Sequence, residues 1–201
     1  MLIASCEGTR MEPVSAGMHM AVCCAVIDLG LRKQVFKEQE RISRKVLLMW
    51  ELPDETFEDK DGNTQPRTMS KQYTLSLHEK AGLTKMLQSW RGKPFTTEEL
   101  KGFDLRQIVG KGCQLSVIHE QGKDGQTYAN ISAVVGIPKG TAVPQPTHTI
   151  IYDLDEPDAL DTISLLPDWI QKVIRESITY QEKADSAERP LGDENDEEMP
   201  F

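Results

Sequence analysis

Residues 18 to 29, MHMAVCCAVIDL, form a sustained apolar run rich in β-branched and small side chains, which predicts a buried first strand. The next fifteen residues, LRKQVFKEQERISRK, reverse the pattern. Arg32, Lys33, Lys37, Arg41, Arg44 and Lys45 outnumber Glu38 and Glu40, and Phe36 is the lone aromatic among them, as expected of a basic loop or hairpin arm. VLLMWEL, from Val46 to Leu52, restores the apolar pattern as a second strand that should end at Pro53. A polar stretch from Asp54 to Thr68 carries an Asp61-Gly62 turn signal, and a third strand should run from about Met69 to Leu77.

Helical spacing follows. Leu83, Met86, Leu87 and Trp90 recur at i, i+3, i+4 and i+7, and Ser76 with Glu79 has the spacing of a capping box. Thr96 and Glu99 repeat that spacing before a shorter helix that presents Leu100, Phe103, Ile108 and Val109. CQLSVIHE and TYANISAVVGI then flank QGKDGQ, whose Asp124-Gly125 pair predicts a hairpin of strands four and five.

Three strands, a helix and two strands predict an α+β chain built on an OB fold, a five-stranded barrel with its helix between strands three and four. The expected division is an extension over 1–17, the barrel over 18–137, a linker with a C-terminal helix over 138–178 and a disordered acidic tail over 179–201. Pro167 should open the late helix, with Trp169, Ile170, Val173 and Ile174 on one face.

Composition narrows the class. Hydrophobic content of 38% and a mean hydropathy of -0.45 fit a soluble chain. No apolar run approaches the roughly 18 residues of a membrane span, and the N-terminus lacks a secretory pattern, so a cytoplasmic location is expected. Cys6, Cys23, Cys24 and Cys113 form no C-x-x-C pair, and adjacent Cys23 and Cys24 in a strand point to opposite faces.

The net charge of -9 conceals a partition. Residues 1 to 148 hold 19 Lys+Arg and 17 Asp+Glu, residues 149 to 179 hold 2 and 7, and residues 180 to 201 hold 2 and 8. A mildly basic body precedes an acidic last quarter, compatible with a polyanionic partner for the body.

An OB fold binds oligonucleotides across strands two and three and the loops joining strands one to two and four to five. The basic stretch falls in the first of those loops, and Lys71 and Lys123 extend the cationic path. Lys111 is a weaker candidate. Single-strand binding also needs aromatic faces on which bases stack. Tyr128 alternates with Asn130 and Ser132, which puts it on the wet face of strand five. Trp50 and Tyr73 remain stacking candidates although their parity with apolar neighbours favours the core, and Phe36 could stack beside the arm cations.

The chain ends GDENDEEMPF. Asp193, Glu194, Asp196, Glu197 and Glu198 repel one another and cannot bury apolar area, whereas Met199, Pro200 and Phe201 with the terminal carboxylate have the parts of a docking peptide. This ending resembles the C-terminal tip of bacterial single-stranded DNA-binding proteins, which recruits replication, recombination and repair enzymes.

The body is similar to a second group. AVIDLG, VLLMWELPD, KQYTLSLHEKAGLTKMLQSWRGKPFT and LPDWIQKVIRES resemble a family of small phage proteins often assigned as single-stranded DNA-binding proteins, over residues 12 to 178. In such proteins the chain often starts close to PxxAGxH, here Pro13, Ala16, Gly17 and His19, which makes Met11 a candidate start. The resemblance implies a phage protein in the cytoplasm of a bacterial host. It would protect single strands without sequence preference and tether partner enzymes through its tip, with self-association left open.

Catalysis, metal binding and cofactors are not expected. His19, His78, His119 and His148 lack ligand spacing, and no Gly-rich loop leads into Lys-Ser/Thr. Asp153, Asp155, Glu156, Asp158 and Asp161 invite a metal-nuclease reading, although a Pro-bounded acidic stretch is more simply a solvated linker. The competing function is an adaptor whose barrel binds no DNA.

Overall fold

The computed structural model describes residues 12–36 and 39–188, with Phe36 and Glu188 described by backbone alone. Five strands follow one antiparallel path, β3(Thr64–Thr74)-β2(Gln39–Glu58)-β1(Gly17–Phe36)-β4(Gly112–Gln121)-β5(Thr127–Val135). A sixth, β6(Ile150–Tyr152), pairs in parallel with Ala25–Ile27 of β1. The mainly antiparallel sheet with several helices is α+β. Its path does not close by a ladder, because β3 and β5 are not paired.

Both faces of β1 are buried, which is why its sequence is apolar without alternation. Ala21, Cys23 and Val26 join Val46, Leu48, Trp50 and Leu52 of β2 in a first core. Helix α1(Gly82–Arg91) closes that core with Leu83, Met86, Leu87 and Trp90. A bulge at Cys24 shifts the register, so Cys24, Ala25, Ile27 and Leu29 enter a second core on the opposite face. Cys23 and Cys24 therefore do face apart. Burial pushes both thiols up to about 12, which removes them as nucleophiles.

The second core was not foreseen. Tyr152, Leu154, Ala159, Ile163, Leu166, Ile170 and Ile174 pack against Ile27, Leu29 and Leu47. They come from β6, α3(Ala159–Thr162), the 3-10 turn Ile163–Leu165, α4(Asp168–Arg175) and the short connections between them. Full burial of Leu or Ile contributes about 1.5–3 kcal/mol, and Leu154, Ile170 and Ile174 are all fully buried. Trp169, expected on the packed face of α4, is instead 49% exposed, and Ile170 and Ile174 supply the contact.

Two further expectations change. Helix α5(Ile178–Glu188) occupies residues assigned to the disordered tail. It is held by Thr179 Oγ1, which accepts from Leu31 N at 2.9 Å, and by Tyr180 packed on the second core. The Ser76–Glu79 box does not form. The Ser76 hydroxyl accepts from His78 N in a turn, and α1 starts after Ala81 without a side-chain cap. The Thr96–Glu99 box does form, at the start of α2(Thr97–Lys101).

The PxxAGxH motif acquires a structural reading. Val14 is buried in the first core, its carbonyl 2.8 Å from His119 Nε2, while His19 Nε2 lies 2.7 Å from Ser15 O. Gly17 has φ 138°, a backbone state that disfavours any side chain, where this plug turns into β1.

Candidate nucleic-acid interface

Beyond the sheet, β1 and β2 continue as a two-stranded arm from Leu31↔Arg44 to Phe36↔Gln39. β3 releases β2 after Lys45↔Thr74, and β6 reaches only Ile27, so the outer arm pairs with no other described strand. The basic segment is thus a hairpin arm. Cross-strand register sorts its side chains. Arg32, Gln34, Arg41 and Ser43 share one face; Lys33, Val35, Glu40 and Ile42 share the other.

The arm cations divide by position. At the base, Arg44 forms ion pairs with Asp28 at 2.5 Å, Asp155 at 2.8 Å and Asp153 at 3.7 Å. Asp28 also accepts from Gly30 N and Leu154 N, so one carboxylate ties the second bulge of β1 to the segment after β6. Hydrogen bonds from Arg44 to Asp28 raise the arginine's pKa well above its ordinary value, which fixes it as a cation. Arg32 donates to Val173 O at 2.5 Å and lies 3.4 Å from Glu176. Lys45 donates to Thr74 Oγ1 at 2.8 Å, and desolvation lowers its pKa. These three residues, expected at DNA, make contacts within the fold.

Further out, Lys33 pairs with exposed Glu40 at 2.7 Å, and Arg41 is exposed with no ion pair among the described residues. The Phe36 side chain and Lys37 lie outside the described residues.

Strands β2 and β3 supply less than expected. Trp50 is fully buried, its ring centroid 6.2 Å from that of Trp90, so it is a core residue and not a stacking platform. Tyr73 packs against the first core, and burial pushes its hydroxyl up to about 12. Lys71 lies opposite Leu48, on the core face of β3, and donates to Ile131 O of β5 at 2.6 Å. It thereby bridges the two unpaired ends of the sheet path.

Beside that bridge is a groove of about 320 Å³ lined by Ser70, Lys71, Ile118, Glu120, Asn130 and Ser132. Asn130 donates to Glu120 at 2.6 Å. Tyr128 lies on the same face of β4–β5, 42% exposed, with its hydroxyl donating to Asp124 at 2.6 Å. A Cβ added to Gly122 would come within 2.5 Å of the Tyr128 ring, so the turn supports one side of it. Lys123 is exposed in that turn. The wet-face assignment of Tyr128, Asn130 and Ser132 holds.

Arm and turn lie towards opposite ends of β1. Gly17 pairs with Val117 near its start, whereas Phe36 forms its far end, so roughly 60 Å of strand contour separates them. Lys111 is exposed just before β4.

The acidic stretch of the nuclease reading is also placed. Asp153 and Asp155 face Arg44, Glu156 lies 3.5 Å from Arg106, and no group of three His, Cys, Asp or Glu able to hold a metal occurs among the described residues. Compared with models of protein families and with curated proteins, the chain matches none.

Proposed function

We propose that this chain binds single-stranded DNA without base-specific readout, on an OB-type barrel, and recruits partner enzymes through Asp193 to Phe201. The observation that carries the reading is the arm: two strands reaching past the sheet, with Arg41 exposed on one face and further cations in its sequence. Flexible phosphate tracking needs cations on such a projecting element, and stacking needs an accessible ring, which Tyr128 offers. The sheet path supports the barrel, being the cyclic strand order of an OB fold cut at one seam, with Lys71 spanning the cut. The acidic tip, Met199-Pro200-Phe201 included, would steer and anchor replication, recombination or repair proteins in a bacterial cytoplasm. These residues lie outside the described part of the chain.

Titration of labelled oligo-dT at two salt concentrations tests this. Binding should weaken with salt, the log-log slope falling by about 0.7 for each phosphate contact removed, as in the pair Arg41→Ala and Lys123→Ala. Tyr128→Ala should cost about 1–3 kcal/mol for one stacked base. Deleting Asp193 to Phe201 should tighten DNA binding and abolish partner capture.

The internal engagement of Arg32, Arg44, Lys45 and Lys71 favours the adaptor reading over a larger DNA groove. Absence of any oligo-dT complex at low salt, with partner capture retained, would establish that alternative.

A further inference from the structure

The outer face of β4–β5 carries a carboxylate where a phosphate track should have none. Glu120 stands directly opposite Tyr128 in the strand register, and Ile118 directly opposite Asn130. Opposed side chains share a face of the sheet, with Cβ atoms about 5 Å apart. Asn130 Nδ2 donates to Glu120 Oε2 at 2.6 Å, and among the described residues no cation forms an ion pair with Glu120. Lys71, the cation of the adjoining groove, is turned to Ile131 O instead. A carboxylate without a cation repels phosphate, so a single strand that reaches this face must present a different group to it.

The pair offers a defined set of hydrogen bonds. A carboxylate only accepts, which fixes the Asn130 amide with its nitrogen toward Glu120 and leaves the second N–H of that nitrogen to donate outward. Side by side stand one donor, the amide N–H, and two acceptors, the carboxylate oxygens. Guanine presents the complement on its Watson–Crick edge, an O6 acceptor followed by the N1–H and N2–H2 donors. Adenine and cytosine set a ring-nitrogen acceptor beside the amino group, and thymine flanks its single N–H with two carbonyls, so each turns a lone pair toward the carboxylate. Unpaired strands expose that edge.

Tyr128 puts a base where the edge can be read. Gly122 lies under its ring and Asp124 accepts from its hydroxyl at 2.6 Å, so the ring rests on the turn and its exposed face points outward. A base stacked there lies alongside Glu120 and Asn130, and Lys123, exposed in the same turn, is placed for the phosphate.

We propose that this corner of β4–β5 is a guanine-preferring nucleotide site, in which the base stacks on Tyr128, Glu120 accepts from N1–H and N2–H2, and Asn130 donates to O6. The inference rests on the DNA reading above and refines it at one nucleotide, the rest of the strand being held without regard to sequence.

Fluorescence anisotropy of the full chain with short labelled oligo-dT carrying one central dG, dA or deoxyinosine tests the site. The dG strand should bind about fivefold to a hundredfold more tightly than the dA strand, whose purine stacks equally well but lacks the paired donors. Deoxyinosine, which keeps O6 and N1–H and lacks the N2 amino group, should fall between them. Glu120→Gln, at an exposed position where circular dichroism can confirm the fold, should bring the dG strand down to the affinity of the dA strand. Equal affinities of the wild type for dG and dA strands, with plain oligo-dT bound, would overturn the guanine site and leave the DNA reading standing. A dG preference that survives Glu120→Gln would overturn it as well, by placing the readout elsewhere. No complex with any of these strands at low salt would overturn the DNA reading and this inference with it.

Discussion

The base and the outer half of the β1–β2 arm come from one cation-rich stretch of sequence, yet their charges have opposite fates. Arg32, Arg44 and Lys45 are bonded into the molecule, whereas Lys33 and Arg41 stand in solvent. The difference is what surrounds each half. The C-terminal module presents Val173 O, Glu176, Asp153 and Asp155 to Arg32 and Arg44, β1 adds Asp28, and β3 offers Thr74 to Lys45. A run of cations therefore does not measure a binding surface until its internal partners are subtracted.

Arg44→Ala should break this comparison most severely. It leaves the carboxylate of Asp28, in a residue only 7% exposed, without its cation, and loss of one partner from a buried pair costs about 3 kcal/mol or more. Lys33→Ala removes an exposed pair and should cost no more than about 0.5 kcal/mol. Urea unfolding of the two variants measures the contrast. Equal losses would mean that the base is no more structural than the outer arm.

Gly30→Ala is the next largest. Gly30 has φ 72°, and an added Cβ would lie 2.6 Å from Ser177 Oγ and 2.9 Å from Leu154 Cδ1. The left-handed backbone alone costs about 1 kcal/mol, and the contact should raise the total to about 2 kcal/mol. Gly125→Ala is the control, with φ 74° and open space around its Cβ, and should show the backbone cost alone. Thermal unfolding of both variants separates strain from the docking of the α4–α5 junction onto the arm base.

What the sequence disclosed follows the range of the interactions. The Thr96–Glu99 cap and the Asp124-Gly125 turn are settled within a few residues, and both form as read. Strand parity likewise pointed Trp50 and Tyr73 to the core and Tyr128 to solvent. The internal bond of Arg32 was not legible because its acceptor, Val173 O, lies 141 residues downstream. The second core was missed for the same reason: the apolar run of β1 announces burial but not what covers the second face. Leu154, Ile163 and Leu166 are spaced too irregularly over short elements to declare themselves as that cover. The stretch after Ser177 carries little apolar periodicity, and α5 is positioned by a backbone contact to Leu31 instead.

Acid should reveal the smallest difference between base and outer arm. Hydrogen bonding to Arg44 is the main cause holding the Asp155 carboxyl below its ordinary range. A depressed folded-state pKa contributes stability above the unfolded value, near 3.8 for this group, and that contribution disappears as pH falls through the folded value. The effect is modest because Asp155 is largely exposed and solvent screens it. Glu55, Asp59, Glu99 and Asp104 are held low by other partners, so wild type and variants share their acid response. The gap in unfolding free energy between wild type and Arg44→Ala, measured from neutral pH down through pH 3, should therefore narrow slightly as the Asp155 contribution is lost. The Lys33→Ala curve should run parallel to wild type. A constant gap for Arg44→Ala would mean that the exposed Asp155 pair contributes nothing measurable, and that the cost of the variant lies at buried Asp28 and in packing of the guanidinium stem.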